Sequence, residues 1–268
     1  MKLVINTESL NSLLSDKNKR KKMVVVDVRT FADYMHGHIP GAINVDLMQF
    51  HWIDTSNAGI TQFNKQTQIL FSNLGLTKDM RVIFYENNTG PTAARGVWLL
   101  SYFSHRNVCL LDGGFARWQK EGYPVETKTN PYRHSAFRGT AKSEILATYE
   151  EILKAIKNKD NKALIIDTRS GAEFDGSVLR AAKVGHIPGA INIDWNKNIE
   201  DGAFKDISKL REVYSHIPKD KRIITYCQGG YRAANTYLAL KMIGYRNIKV
   251  YLGSWGEWGN KEGLPAEK

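Results

Sequence analysis

The octapeptide GHIPGAIN stands at residues 37–44 and again, unchanged, at residues 185–192. Eight identical residues do not recur by chance in a chain of 268. The match extends outward on both sides. VVVDVRT (24–30) pairs with LIIDTRS (164–170), and VIFYE (82–86) with IITYC (223–227). Further on, DGGFARW (112–118) pairs with LGSWGEW (252–258), and EGYPVE (121–126) with EGLPAE (262–267). The offset stays near 140 residues and rises to 148 at the octapeptide, because DGSVLRAAKV (175–184) is inserted just before the second copy. A period of this length denotes a duplicated domain, since solenoid units are far shorter. The halves are expected at 1–126 and 144–268, joined by the polar linker TKTNPYRHSAFRGTAKS (127–143), which lacks apolar periodicity.

Each half alternates strand and helix. Short β-branched runs at 23–28, 81–85 and 107–111, and at 163–166, 222–226 and 248–252, read as buried parallel strands. Helical stretches, PTAARGVWLLSYF (91–103) and YRAANTYLALKMIG (231–244), follow the second strand of each half, with Gly244 as a C′ residue. The expected fold class is α/β: two domains, each a parallel sheet flanked by helices on both faces.

Composition bounds the function. Hydrophobic residues make up 42% and charged residues 24%, as in an ordinary globular protein. No run approaches a membrane span, and MKLVINTESL lacks the core of a signal peptide, so a cytoplasmic protein is expected. Two cysteines, Cys109 and Cys227, are too few for a disulfide framework. The net charge of +11 favours anionic partners in general and is itself a solubility feature. The basic run KNKRKK (17–22) precedes a strand, where a solvated loop is expected rather than a nucleic-acid interface.

Cys227 falls at the carboxyl end of a central strand, where open α/β sheets bind ligands. The loop after it, Gln228, Gly229, Gly230, Tyr231 and Arg232, has two glycines that let backbone N–H groups point inward. A helix start and a guanidinium add positive potential, which favours thiolate over thiol and makes an anion cradle. Cys109, in NVCLLDG, reads instead as core. Trp255 and Tyr231 could wall the pocket or serve as core.

These motifs together resemble the two halves of a tandem-domain rhodanese-type sulfurtransferase, the family of thiosulfate and 3-mercaptopyruvate sulfurtransferases: DVRT, GHIPGAIN and LDGGFARW, then DTRS, GHIPGAIN, YCQGGYR and YLGSWGEW. The resemblance covers nearly the whole chain. It implies an active second domain and a first domain that has lost its cysteine, and Glu86 stands here at the position equivalent to Cys227. It implies that Cys227 takes sulfane sulfur from thiosulfate, or from 3-mercaptopyruvate, as a persulfide. A thiophilic acceptor such as cyanide or a thiol then removes it. Neither a metal nor an organic cofactor is implied. CQGGYR matches neither CRKGVT nor CG(S/T)GVT, the loops often seen with the two donors, and its arginine favours the dianion thiosulfate. Arg180 in the insertion aligns loosely with a family arginine that reaches the donor, or is a solvated surface arginine.

Other readings remain open at this level. A persulfide carrier or regulatory binding module would use the same loop with little small-molecule turnover, docking an acidic sulfur-relay protein. A phosphatase or arsenate reductase of related fold carries C-x5-R, whereas four residues separate Cys227 from Arg232, a ring better sized for one sulfur than for a phosphoryl group. His38 and His186 recur in both copies while the cysteine does not, so loop architecture is their expected role; no metal-ligand spacing appears. Asp27 with Arg29, and Asp167 with Arg169, are expected to order the strand ends.

Overall fold

The octapeptide repeats because its first glycine, histidine, first isoleucine and asparagine make the same bonds in both halves. The structure, a computed structural model, describes residues 3–158 and 162–268. It divides into two units: Met1–Phe50, Asn64–Ala141 and Glu200–Phe204 in one, His51–Phe63, Lys142–Ile199 and Lys205–Lys268 in the other. Among the described residues each unit builds a five-stranded sheet in which the pairings are parallel. The first contains β1 (Val4–Ile5), β2 (Met23–Asp27), β3 (Ile43–Asn44), β4 (Arg81–Tyr85) and β5 (Val108–Leu111). The second contains β6 (Leu146–Ala147), β7 (Ala163–Asp167), β8 (Ile191–Asn192), β9 (Arg222–Tyr226) and β10 (Ile248–Tyr251). The strand order is β1-β5-β4-β2-β3 in one and β6-β10-β9-β7-β8 in the other, the same topology twice. Helices flank both sheets, as the alternation predicts.

The central strands are continuous β-branched runs because helices cover both faces and leave no solvated side. Val25, Ile83, Tyr85 and Trp118 lie in one core; Ile165, Ile224, Tyr226 and Trp258 take equivalent places in the other. At the carboxyl ends Asp27 aligns with Tyr85 and Asp167 with Tyr226. Asp27 and Asp167, both fully buried, accept forked bonds from Arg29 and Arg169, the shortest 2.6 Å in each case. The same guanidiniums donate to Gly37 O and Gly185 O at 2.7 Å, which fastens the octapeptide to the strand end. Ile39 N and Ile187 N donate to the Tyr85 and Tyr226 hydroxyls at 3.1 Å. Asn44 and Asn192 each donate to two carbonyls of the aspartate–arginine turn. His38 and His186 pair across isolated bridges with Glu126 and Glu267, which explains the recurrence of EGYPVE and EGLPAE. Both rings also bond a helix carbonyl, Tyr34 O or Phe174 O, so the two histidines are architectural.

The structure corrects one expectation. Residues 17–22 do not form a plain loop, since Lys17–Arg20 is a short helical turn. The Asp16 carboxylate caps it, accepting from Asn18 N and Lys19 N, which satisfies donors that a basic run alone leaves unbonded. Within the first unit the polar stretch after residue 126 is tied down: Asn130 donates to Ala42 O, and Phe137 N to Ser72 Oγ. Cys109 is a buried member of the β5 core, as expected. No helix among the described residues is long and apolar enough to cross a membrane.

Candidate active site

Cys227 is the residue after β9, and the helix Tyr231–Met242 begins four positions later. Gly230 N donates to Cys227 Sγ at 3.1 Å, closing the loop on the sulfur. That closure needs Gly230 at φ 84°, a left-handed conformation that costs a residue with a Cβ about 1–2 kcal/mol. A second strip of backbone holds the loop from below. Trp255 N donates to Cys227 O at 2.9 Å, and Gly256 N to Gln228 O at 2.8 Å. Cys227 N donates to Ser254 Oγ at 3.2 Å, and that hydroxyl donates to Tyr251 O. Ser254 itself sits at φ 52°, a strained conformation for serine that aims its hydroxyl at the cysteine amide. Cys227 is 1% exposed, so its sulfur is buried at the floor of the loop.

The side chains named from sequence fall around this floor. Arg232 forks onto Glu173, Nη1 to Oε2 at 2.6 Å and Nη2 to Oε1 at 3.0 Å. Burial works against the Arg232 charge, but the Glu173 carboxylate and the Cys227 sulfur beside it hold its pKa above the ordinary range. Glu173 shows the converse: burial alone raises a carboxylate, yet Arg232 and then Ser170 bring it down to about 2. Arg180 Nε lies 3.8 Å from Glu173 Oε1, and the Arg180 side chain is 52% exposed. Gln228 Nε2 donates to Arg180 O at 3.0 Å, tying the insertion to the loop. The Gln228 Oε1 atom is buried without a hydrogen-bond partner among the described residues. Tyr231 and Trp255 are both buried, Trp255 completely and with the Arg169 guanidinium 4.6 Å from its ring centre.

Sequence reasoning missed three residues here. Glu173 carries a ready structural explanation, the capping box of Ser170, which hides its second role. Ser254 is legible only through its backbone angle. His51 has no counterpart in the second copy; its ring stacks parallel to Tyr231 with centroids 6.0 Å apart. It also lies over Gly229, where a Cβ would run into the imidazole. His51 reaches this loop because Thr55 is anchored in the same unit. Thr55 N and Oγ1 donate to the Glu257 carboxylate, the amide at 2.7 Å.

The equivalent loop of the first unit has the same frame. Phe115 N donates to Glu86 O at 2.9 Å and Ala116 N to Asn87 O at 2.8 Å. Glu86 replaces the cysteine, and its Oε1 accepts from Ala93 N at 2.8 Å. Burial pushes the Glu86 carboxyl up to about 7, against the helix amides of Ala93 and Thr92. A separate cavity of 480 Å³ in the first unit, lined by Lys17, Arg20, Met80 and Arg133 among others, includes neither Glu86 nor Cys227.

Residues 8–121 and 148–261 each match the Rhodanese-like domain family. The chain is 32% identical to the sulfur carrier protein TtuD of Thermus thermophilus, over 99% of this chain and 96% of that protein. It is also 32% identical to a thiosulfate sulfurtransferase of Pseudomonas aeruginosa, over 92% of this chain and 91% of the relative. Among solved structures, the 3-mercaptopyruvate sulfotransferase SseA of Escherichia coli superposes with a TM-score of 0.80 at 26% identity, over 95% of this chain and 99% of that one. The chain therefore belongs to the rhodanese-like family and carries two such domains in tandem.

Proposed function

We propose that this protein is a sulfurtransferase that carries sulfane sulfur on Cys227, with its second domain catalytic and its first domain, bearing Glu86, structural. The observation that carries the reading is the closed loop over Cys227, with Gly230 N on the sulfur and Arg232 beside it. The Cys227 thiolate attacks the outer sulfur of thiosulfate. The new bond joins the two sulfurs, the old S–S bond breaks, and its electron pair leaves with sulfite. A cyanide or thiolate acceptor then attacks the outer sulfur of the persulfide and returns Cys227 as thiolate. Loop amides and Arg232 stabilise the charge on the transferred sulfur. Relatives named thiosulfate sulfurtransferase support thiosulfate as donor; the SseA neighbour keeps 3-mercaptopyruvate as the second candidate.

The test is intact mass after mixing with thiosulfate. The expected result is one added sulfur, about 32 Da, absent from Cys227→Ser. An unchanged mass with both donors overturns the reading. A second reading, a persulfide carrier in a protein relay, is favoured by the similarity to TtuD. It predicts the same adduct after incubation with a cysteine desulfurase, and negligible thiocyanate formation from thiosulfate and cyanide.

A further inference from the structure

We propose that Glu173 sets the charge class of the small molecule admitted to Cys227, by neutralising the Arg232 guanidinium beside the thiol. The proposal deepens the sulfurtransferase reading and rests on it for the identity of the donors.

The charges around the carboxylate can be followed one by one. Arg232, on the helix after the loop, forks onto both carboxylate oxygens at 2.6 and 3.0 Å. Arg180, in the inserted segment, stands 3.8 Å from Oε1. The Ser170 hydroxyl and amide, from the turn after β7, donate to Oε2 at 3.1 and 3.2 Å. Arg169 also feels this carboxylate, but its own charge is held by Asp167. Arg232 beside the sulfur, Arg180 near the carboxylate and Glu173 itself thus sum to one positive charge rather than two. Glu173 is only 7% exposed, so water screens its pairing with Arg232 weakly, whereas the half-exposed Arg180 stays screened.

The cap alone does not call for a charge, since glutamine serves equally at that position. An anion-binding loop gains affinity from every unopposed guanidinium, and Glu173 removes that gain by occupying the fork that would otherwise grip the donor. What it provides is moderation. Thiosulfate enters as a dianion and sulfite leaves as one, and a doubly positive cradle would retain the product. The equivalent residue of the first unit is Asp33. Its carboxylate accepts from the Thr30 hydroxyl at 2.6 Å, and its amide donates back to that oxygen. The cap is thus common to both units, and the arginine fork belongs to the unit with the thiol.

Glu173→Gln tests this while keeping the cap, because glutamine serves equally at that capping position. The readout is the ratio of Cys227 alkylation rates by iodoacetate and by iodoacetamide, followed on the Cys227 peptide by mass. The ratio cancels thiol ionisation and access, leaving the reagent's charge. It should rise at least about fivefold in Glu173→Gln, the scale of one charge at about 4 Å even with the screening of bulk water. The ratio of kcat/KM for thiosulfate over singly charged 3-mercaptopyruvate should rise with it, and sulfite should inhibit more tightly. Ser170→Ala, which weakens the cap and keeps the carboxylate, should leave the alkylation ratio within about twofold of the unaltered protein, since it moves no full charge. An unchanged or lower alkylation ratio in Glu173→Gln overturns the proposal, as does an equal rise in Ser170→Ala. If the unaltered protein gains no sulfur from either donor, the sulfurtransferase reading fails, and the alkylation ratio still decides what Glu173 does.

Discussion

The loops that follow β4 and β9 start from the same frame and are filled differently. In the first, Glu86 sends its own carboxylate into the helix N-terminus, where Ala93 N meets it at 2.8 Å. In the second, a sulfur occupies the floor, Gly230 N bonds it at 3.1 Å, and Arg232 stands beside it. The first helical residue is Pro91 in one, without an N–H to offer, and Tyr231 in the other. The next is Thr92 where the second helix has Arg232. A helix N-terminus attracts an anion in either case. The first loop supplies that anion from its own chain; the second presents the same field to a thiol. Duplication kept the cradle and changed what fills it.

The sharpest way to break this contrast is to change the occupant of each loop. Cys227→Ser should lower thiocyanate formation from thiosulfate and cyanide by about a thousandfold or more, because an alcohol cannot carry sulfane sulfur. Glu86→Cys should not create a second sulfur-accepting loop, since Gly90 is extended where Gly230 is left-handed and Thr92 stands where Arg232 supplies the cation. Intact mass after thiosulfate treatment decides both. A persulfide at position 86 of the Glu86→Cys protein would show that the thiol alone makes the site, and the comparison would lose its meaning.

Next in size are the aspartates shared by both units. Asp167→Ala strands Arg169, whose side chain is 1% exposed, and Asp27→Ala strands Arg29, at 8%. Removing one partner of a buried pair costs about 3–5 kcal/mol. Guanidinium unfolding should show both losses, with Asp167→Ala the larger. Sulfur loading of the folded fraction should survive each. Loss of loading at unchanged stability would move Asp167 from framework to chemistry.

A smaller effect separates the loops by pH. The Glu86 carboxyl is raised from its ordinary 4.5 to about 7 by burial. A raised acid favours the folded state fully below its unfolded pKa, and that favour is lost as pH climbs through the folded value. Between about pH 4.5 and 8 the protein should therefore lose up to about 3 kcal/mol relative to Glu86→Gln. The difference in unfolding free energy between the two proteins, measured across that window, isolates the carboxyl. A flat difference would mean that Glu86 is ionised in the fold throughout, held by the helix amides alone.

Most of this frame is legible in the residues. The repeated octapeptide marks two equal halves because Gly37, Ile39 and Asn44, like Gly185, Ile187 and Asn192, each have a bond to make at a strand end. The bounds of β4 and β9 follow to the residue, since continuous β-branched runs ending at a turn have few other readings. What stays hidden depends on three-dimensional placement. Glu173 reads as half of a capping box, and nothing in its spacing announces two arginines. Ser254 looks like any serine until its φ of 52° is seen. His51 lies outside the repeat, so no periodicity brings it to Gly229. The helical turn at Lys17–Arg20 escapes a reading of the basic run alone, because its cap, Asp16, precedes that run.

The smallest effect is the most specific to the comparison. Gly90 and Gly230 occupy the last position before equivalent helices, yet glycine is required for different reasons. Gly230 is left-handed at φ 84°, whereas Gly90 is extended at φ −130°, a conformation open to any residue. A Cβ on Gly90 would instead collide with the Glu86 carboxyl, 2.5 to 2.7 Å away. The penalty for Gly90→Ala is thus a contact with one flexible side chain, and the penalty for Gly230→Ala resides in the backbone. A double-mutant cycle distinguishes them. Glu86→Ala should relieve Gly90→Ala by about 1 kcal/mol of coupling, within the range for residues in contact. Cys227→Ala should relieve Gly230→Ala by nothing measurable, because removing a side chain does not change a φ angle. Equal coupling in the two cycles would mean that both glycines yield to the residue at the strand end, and that the loops differ in their occupant alone. Unequal coupling would show that the turn itself was rebuilt around the thiol.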